Sequence, residues 1–362
     1  MRYKKRKKIK VFLGGYINSI NAQNLNCRAL ALHLDQDKFD VAALTSPGGT
    51  LPMCNELTHV KKISLLAPLY RPLKFLRNIA YLRGLLWCDV AYLPKGEIYH
   101  FTQKWVKHLG KKAFITVEGV LDKESYIGLH RLCGSDENIR QLYNGYDRTY
   151  SITQYMSSMN NELLGIKSDG ILYLGVENKD FKSVRKNRDN ATINIVFIGN
   201  DLKRKRVDEF MDLAALFPAM SFNIVGGDNS FIAELTERNL SNVTYHGRLN
   251  HQQLSDLLAE IDLHVFPSRS EGFPKVTLET AAAGVPSIVY SDYGAAEWIT
   301  TGKDGFVVDT FDEIVNILKE IEAHPKKLKE LSDNAVVMAN LFDWSKLIKN
   351  WEKVIIDLYN QK

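Results

Sequence analysis

The sequence predicts a two-domain α/β protein, each domain a parallel sheet wound with helices on both faces. Three observations carry this. The 362-residue chain is too long for one ordinary core and suits two domains of about 150–200 residues. Short β-rich apolar runs alternate with helical periodicity along its length, the pattern of parallel strands covered on both faces. The alternation also stops and restarts. Residues 178–190 are charged and poor in apolar side chains, which marks a linker between domains at 1–180 and 191–342.

In the first half, IKVFLGG predicts a strand at Ile9–Gly15, followed by a polar loop and a helix near Asn24–Leu34. FDVAALT predicts a second strand at Phe39–Thr45, and further strands are expected at Val90–Pro94, Ala113–Gly119 and Tyr150–Thr153. The second half repeats the rhythm with strands at Ala191–Gly199, Ser221–Gly227, Val243–Gly247, Leu263–Pro267 and Pro286–Ser291, helices lying between them. In such sheets ligands sit beyond the carboxyl ends of the strands. The final amphipathic helix, within residues 343–362, follows the last α/β unit and is expected to cross back onto the first domain.

Composition narrows the classes. A hydrophobic content of 45% with 25% charged residues excludes long disorder. Long apolar runs are broken, as Ala281–Tyr290 is by Gly284 and Pro286, so no transmembrane helix is expected. The apolar run after the N-terminal lysines, Val11–Leu13, is too short for a signal peptide, and a cytoplasmic protein is expected. Cys27, Cys54, Cys88 and Cys133 lack metal-ligand spacing and read as reduced thiols, with neither a zinc site nor a disulfide frame. Charge is uneven: residues 1–112 hold 20 Lys/Arg against 6 Asp/Glu, a net +14, and the remainder carries −9. The cations interleave with aromatics and leucines in Leu69–Trp87 and Lys104–Lys112. That pattern suits an anionic membrane surface or lipid-linked acceptor; the alternative is a pair of helices with solvated basic faces. No nucleic-acid-binding motif accompanies the charge, so nucleic acid is not an expected partner.

The stretch SEGFPKVTLETAAAGVP, Ser270–Pro286, carries two acids eight positions apart, Glu271 and Glu279. Pro274 has a φ suited to the first helical position, so the helix is expected to start there. Glu271 then stays in the loop and Glu279 falls in the second helical turn. The free N–H groups of Lys275, Val276 and Thr277 form an anion site, and a nucleotide diphosphate is the anion it suits. On spacing alone, a loop acid and a solvated helix acid explain the pair as well. FIGNDLKRKRVDEF places four cations, Lys203–Arg206, where phosphate-binding turns occur. One or two of them can clamp a diphosphate, and a solvated basic turn accounts for the rest. VGGDN is not a dinucleotide fingerprint, which speaks against a nicotinamide enzyme.

Together, FIGNDLKRKRVD, NIVGGD, NVTYHGRL, VFPSRSEGFPKVTLETAAAGVPSIVYSD and GAAEWITTGKDGFVV occur in an order that resembles the retaining GT-B glycosyltransferases of family 4, with their E-x7-E motif. The resemblance runs over roughly Asn194–Val308. It implies two Rossmann-like domains with a central cleft, and a nucleotide-sugar donor, UDP- or GDP-linked, bound mainly by the second. It further implies a glycan or lipid-linked acceptor, transfer with retention, and no metal or other cofactor. By their places in the motif, Glu279 binds the ribose, Glu271 contacts the transferred sugar and Lys205 meets the diphosphate. Phe273, Pro274, Lys275, Val276 and Thr277 line the donor. Asn200 stands where the family has an arginine, leaving Arg204 or Arg206 to substitute. Pro274 stands where it commonly has a glycine, removing one backbone contact. Glu118 occupies the place of a histidine near the transferred sugar, as a charge-stabilising group or as a strand-end acid of no catalytic role. Gly14 and Gly15 match the loop that approaches the donor phosphates. Two other readings stay open: a sugar-nucleotide epimerase or hydrolase on the same fold, and a non-catalytic binding subunit.

Overall fold

The computed structural model describes residues 7–64, 74–94, 98–181, 192–228 and 231–361. The basic start of the chain, the first part of Leu69–Trp87, most of the 178–190 linker and Asn229 of VGGDN lie outside these residues. The chain forms two compact units, Met1–Leu174 with Trp344–Lys362, and Gly175–Asp343. The division falls just before Val176, whose N–H donates to the Phe342 carbonyl at 3.0 Å and so ties this segment into the second unit.

In the first unit the described elements run β1 (Ile9–Tyr16), α1 (Ala22–His33), β2 (Phe39–Thr45), β3 (Lys61–Ser64), α2 (Lys74–Trp87) and β4 (Val90–Tyr92). They continue α3 (Tyr99–His108), β5 (Lys112–Val117), α4 (Ile127–Cys133), α5 (Asp136–Asn144), β6 (Arg148–Ser151) and α6 (Gln154–Leu164). The second unit runs β7 (Asn194–Ile198), α7 (Val207–Leu216), β8 (Ser221–Val225), α8 (Phe231–Arg238), β9 (Val243–Gly247) and α9 (His251–Leu258). Then come β10 (Leu263–Phe266), α10 (Lys275–Ala282), β11 (Ser287–Tyr290), β12 (Gly305–Val308), α11 (Phe311–Ala323) and α12 (Lys327–Leu341). The last helix, α13 (Trp344–Asn360), belongs to the first unit.

Both sheets are parallel and share one strand order. The first is β3-β2-β1-β4-β5-β6 and the second β12-β11-β10-β7-β8-β9. Counted within each unit this is the 3-2-1-4-5-6 order of a doubly wound sheet, whose strand order reverses beside its first strand. The strands are nearly continuous apolar runs because helices cover both faces; Val11, Phe12 and Leu13 of β1 and Ile195, Val196 and Phe197 of β7 are fully buried. β3 and β12 were not foreseen. Only one residue of KKIS, Ile63, is buried, so its edge position is invisible to a hydrophobicity reading.

Helix α13 packs on α1, β1, β4 and β5 of the first sheet. Its amphipathic face buries Trp344, Leu347, Trp351, Ile355 and Leu358. Trp351 is fully buried, with its ring 5.3 Å from Tyr92 and 6.2 Å from Phe114, and its indole N–H donates to the Tyr173 carbonyl at 3.3 Å. One turn's contact is polar: the Glu352 carboxylate accepts from the Asp35 N–H at 3.0 Å and from Lys38 Nζ at 3.1 Å, pinning the helix to the α1–β2 turn. Trp351→Ala is therefore expected to cost about 3–5 kcal/mol of the first unit's stability. Urea unfolding followed by aromatic fluorescence checks it, and a loss below 1 kcal/mol would show that α13 is not integral to that core.

Candidate active site

The candidate site of the second unit is built from two loops. One follows β7 (Gly199–Arg206) and the other follows β10 (Pro267–Pro274). β7 and β10 are neighbours in the sheet, flanking the reversal of strand order, so the loops leave the strand ends side by side. Lys205 from the first and Glu271 from the second meet there, Nζ donating to Oε1 at 2.7 Å. Gly199 makes this possible. A Cβ at that position would lie 2.4 Å from Lys205 Cδ, so only glycine lets the lysine stem fold back over the strand end. The ammonium rests 4.4 Å above the Phe266 ring.

Glu271 is held from several sides. Ser268, fully buried, donates its hydroxyl to the same Oε1 at 2.7 Å, and Arg204 Nη1 approaches it at 3.4 Å while donating to the Ser270 carbonyl at 2.6 Å. Oε1 is thus crowded with donors, while Oε2 has no hydrogen bond from the described residues. Burial lowers the Lys205 pKa more than the Glu271 charge raises it. Beneath them His264, on β10, is fully buried. Its Nδ1 lies 2.9 Å from Ser287 Oγ, while its Nε2 has no partner. Burial, and then the nearby Lys205 charge, lower its pKa to about 3.

Helix α10 begins at Lys275, not at Pro274. Pro274 is extended at ψ 92° and acts as the N-cap, because its carbonyl turns back to accept the Thr277 N–H at 3.0 Å and the Thr277 hydroxyl at 2.9 Å. The expected free N–H of Thr277 is consequently engaged, and its hydroxyl also accepts the Trp298 indole N–H at 3.1 Å. The N–H of Val276 remains without a partner among the described residues. Phe273 packs its ring 4.9 Å from Trp298 and 6.0 Å from Phe342, which anchors the end of the loop. Glu279 is half-buried on α10. Burial raises its pKa, while the charges of His251 and Lys275 draw it back.

Not every cation of Lys203–Arg206 faces this point. Arg206 pairs with Glu209, one turn into α7. Asn200, Lys203 and Arg206 line an adjoining cavity of about 720 Å³ with Asp201, Asp228 and Phe231.

In the first unit, Glu118 lies just past β5. Its Oε1 accepts from Thr116 Oγ1 at 3.0 Å and sits 3.4 Å from the Tyr92 hydroxyl and 3.5 Å from Asn26 Nδ2. Gly14 and Gly15 do not form an open loop. Both are buried in β1, at an irregularity in its register with β2. The Gly14 carbonyl accepts the Tyr81 hydroxyl at 2.7 Å, and a Cβ on Gly15 would lie 2.6 Å from Cys27 Sγ. Their close approach is to the protein's own interior.

Residues 178–337 match the profile of the family described as glycosyl transferases group 1. The second unit carries a group 1 glycosyltransferase domain. Among curated proteins, the chain is 30% identical over 209 residues to the N,N'-diacetylbacillosaminyl-diphospho-undecaprenol alpha-1,3-N-acetylgalactosaminyltransferase of Campylobacter jejuni. That match covers 54% of each sequence, and the chain spans about half the length of the curated relatives it matches. Among solved structures, sucrose-phosphate synthase from Thermosynechococcus elongatus superposes with a TM-score of 0.79 at 16% identity, covering 98% of this chain and 100% of that one. An Anabaena protein crystallised with UDP-glucose gives 0.73 at 16% identity over 96% and 100%. The fold is GT-B.

In this group 1 domain the structure brings Lys205, Arg204 and Glu271 together and sets Glu279 and Val276 on the adjoining helix. It turns Arg206 and Thr277 to internal partners. Ser268 and His264 were not foreseen. SRSEGF holds two serines, and nothing in the spacing tells which one points inward; His264 reads as one more residue of an apolar strand. Among the described residues, no group of three or more His, Cys, Asp or Glu side chains is placed to hold a metal ion, and no helix is long and apolar enough to cross a membrane.

His264 sets an acid limit on stability. Its folded pKa near 3 lies below the ordinary 6.5, so between those values the unfolded chain binds a proton that the folded one refuses. Stability then falls as pH is lowered through this window, with a slope approaching ~1.4 kcal/mol per pH unit from this group. Urea unfolding between pH 6.5 and 4 is expected to show a shallower acid slope for His264→Gln than for the parent protein. Equal slopes would contradict the assignment.

Proposed function

We propose that the protein is a retaining, metal-independent glycosyltransferase of family 4, its Glu271–Glu279 pair serving as the E-x7-E motif. It transfers a sugar from a UDP-linked donor to a glycan or lipid-linked acceptor in the building of a surface polysaccharide. The observation that carries this reading is the Lys205–Glu271 contact above the reversal of strand order, with a helix N-terminus beside it. Lys205, Arg204 and the first N–H groups of α10 supply positive potential to a leaving diphosphate. Glu271 offers its unengaged Oε2 to a hydroxyl of the transferred sugar. Glu279, half-buried and with no hydrogen bond to its carboxylate among the described residues, accepts from the ribose hydroxyls. In the reaction the bond from the anomeric carbon to the leaving phosphate oxygen breaks. The acceptor oxygen bonds on the same face, and its proton passes to the departing phosphate. Glu118 is the first unit's group for the transferred sugar, its charge already braced by Thr116 and Tyr92.

The Campylobacter relative's name describes transfer to a lipid diphosphate, and the Anabaena neighbour was crystallised with UDP-glucose; both support this substrate class. The basic first unit supports a cytoplasmic enzyme peripheral to an anionic membrane. On α2, Ile79 and Leu86 are exposed with Arg83 between them, on α3 Lys104 and Lys107 are exposed, and neither helix contains an acidic residue.

Glu271→Gln is expected to lower transfer from a UDP-sugar at least 100-fold while UDP itself still raises the melting temperature; at 100 times its Kd, UDP stabilises by about 2.7 kcal/mol. A radiolabelled transfer assay with a polyprenyl-diphosphate sugar acceptor checks it, and undiminished transfer would remove Glu271 from the chemistry. For the membrane, co-sedimentation with phosphatidylglycerol vesicles is expected to fall at least fivefold in Leu86→Glu. Equal sedimentation of parent and variant, or none with either, would dismiss that surface.

A further inference from the structure

Arg206 stands apart from the other cations of its loop. It adopts φ 58°, ψ 48°, a left-handed conformation that residues with a Cβ rarely take, and it does so at the junction where the loop turns into α7. The loop winds tightly up to that point, with Lys205 N–H donating to the Asp201 carbonyl and Arg206 N–H to the Lys203 carbonyl, both at 3.0 Å. The reversal at Arg206 starts the helix and leaves Lys205 free to fold back over Gly199 to Glu271.

A partner compensates the strained residue. Its guanidinium pairs with Glu209, which is buried in the first turn of α7. The other carboxylate oxygen of Glu209 accepts the hydroxyl of Tyr290, a fully buried residue of β11, at 2.8 Å. On the face of the Tyr290 ring, 3.7 Å from its centroid, lies the guanidinium of Arg269. Arg269 is two positions before Glu271 in the β10–α10 loop, and it is fixed by Asp292 at 2.9 Å and by the Asp309 carbonyl at 3.2 Å. A continuous chain, Arg206–Glu209–Tyr290–Arg269, therefore joins the loop that presents Lys205 to the loop that presents Glu271.

We infer that Glu209 and Tyr290 are positioning residues. They hold Arg206 in its left-handed turn and tie the two loops together, so that Lys205 and Glu271 stand at contact distance before any donor arrives. None of the four needs to touch the reacting atoms for this. The consequence for donor binding rests on the reading proposed above; the consequence for loop order does not.

Glycine takes a positive φ without strain, so it removes the need for the Glu209 brace. That supplies the test. Hydrogen exchange of the peptide covering residues 201–207 is measured on the ligand-free full chain, with UDP titration by calorimetry as the second readout. Glu209→Gln is expected to speed exchange about tenfold and to weaken UDP binding about tenfold. In the Arg206→Gly background the same change is expected to alter either quantity less than twofold. Should Glu209→Gln fail to fold, Tyr290→Phe, which keeps the ring under Arg269 and loses only the hydroxyl, repeats the comparison with a smaller expected effect of about threefold. Exchange unchanged by the substitution, or accelerated equally in both backgrounds, would overturn the proposal whether or not UDP binds. A parent protein that ignores UDP would sink the donor-site reading instead, with the exchange comparison still deciding this one.

Discussion

Lys205 and Glu271 come to 2.7 Å because β7 and β10, adjacent strands of a doubly wound sheet, end beneath them. The rest of the site follows from that contact. It is a partly buried ion pair, and burial works against the lysine's charge even with the glutamate beside it. Such pairs contribute little to net stability once desolvation is counted, yet breaking one side leaves an uncompensated charge. A contact of this kind is poorly explained as a stabilising device. On the proposed function it is a cation and a carboxylate held ready, the cation for a diphosphate and the carboxylate for a sugar hydroxyl. Ser268, Arg204 and the Phe266 ring are arranged around the pair, and among the described residues nothing hydrogen-bonds Oε2 of Glu271.

The second consequence is that the site is stiff where it needs to be. Gly199 admits the lysine stem, Pro274 closes the loop on Thr277, and Thr277 in turn holds Trp298. Each of these contacts is internal to the second unit. The first unit has its own carboxylate at a strand end, Glu118, braced by hydroxyls. Each unit thus carries an acid beyond the carboxyl end of a parallel strand, Glu118 after the fifth strand of its unit and Glu271 after the fourth of its own, and strand ends of this kind are where the topology collects ligands.

Most of the fold was legible because buried parallel strands must be apolar and helices must be amphipathic; Phe39–Thr45 and Val243–Gly247 emerge with the boundaries the sequence implies. What was not legible depended on partners distant in the chain. The glycines at 14 and 15 have the look of a ligand loop, but whether their missing side chains make room for a phosphate or for Cys27 is a matter of tertiary packing. A proline before a helix fits the first helical turn or the cap equally well from its φ alone; ψ, set by the Thr277 hydrogen bonds, decides for the cap. The cations at 203–206 are four alike in sequence, and only the fold sorts them, sending Lys205 and Arg204 to Glu271 and Arg206 to Glu209. That Glu271 lies in the loop and Glu279 on the helix was legible, since the proline between them marks where the helix begins.

The central claim, that Lys205 serves a diphosphate, is tested most directly by comparing UDP with UMP. Calorimetric titration of both nucleotides into the parent protein and into Lys205→Met gives four affinities. The account predicts that the parent prefers UDP by at least tenfold and that the variant loses this preference while keeping its affinity for UMP nearly unchanged. An equal loss for both nucleotides, or a preference for UDP that survives the substitution, would contradict it.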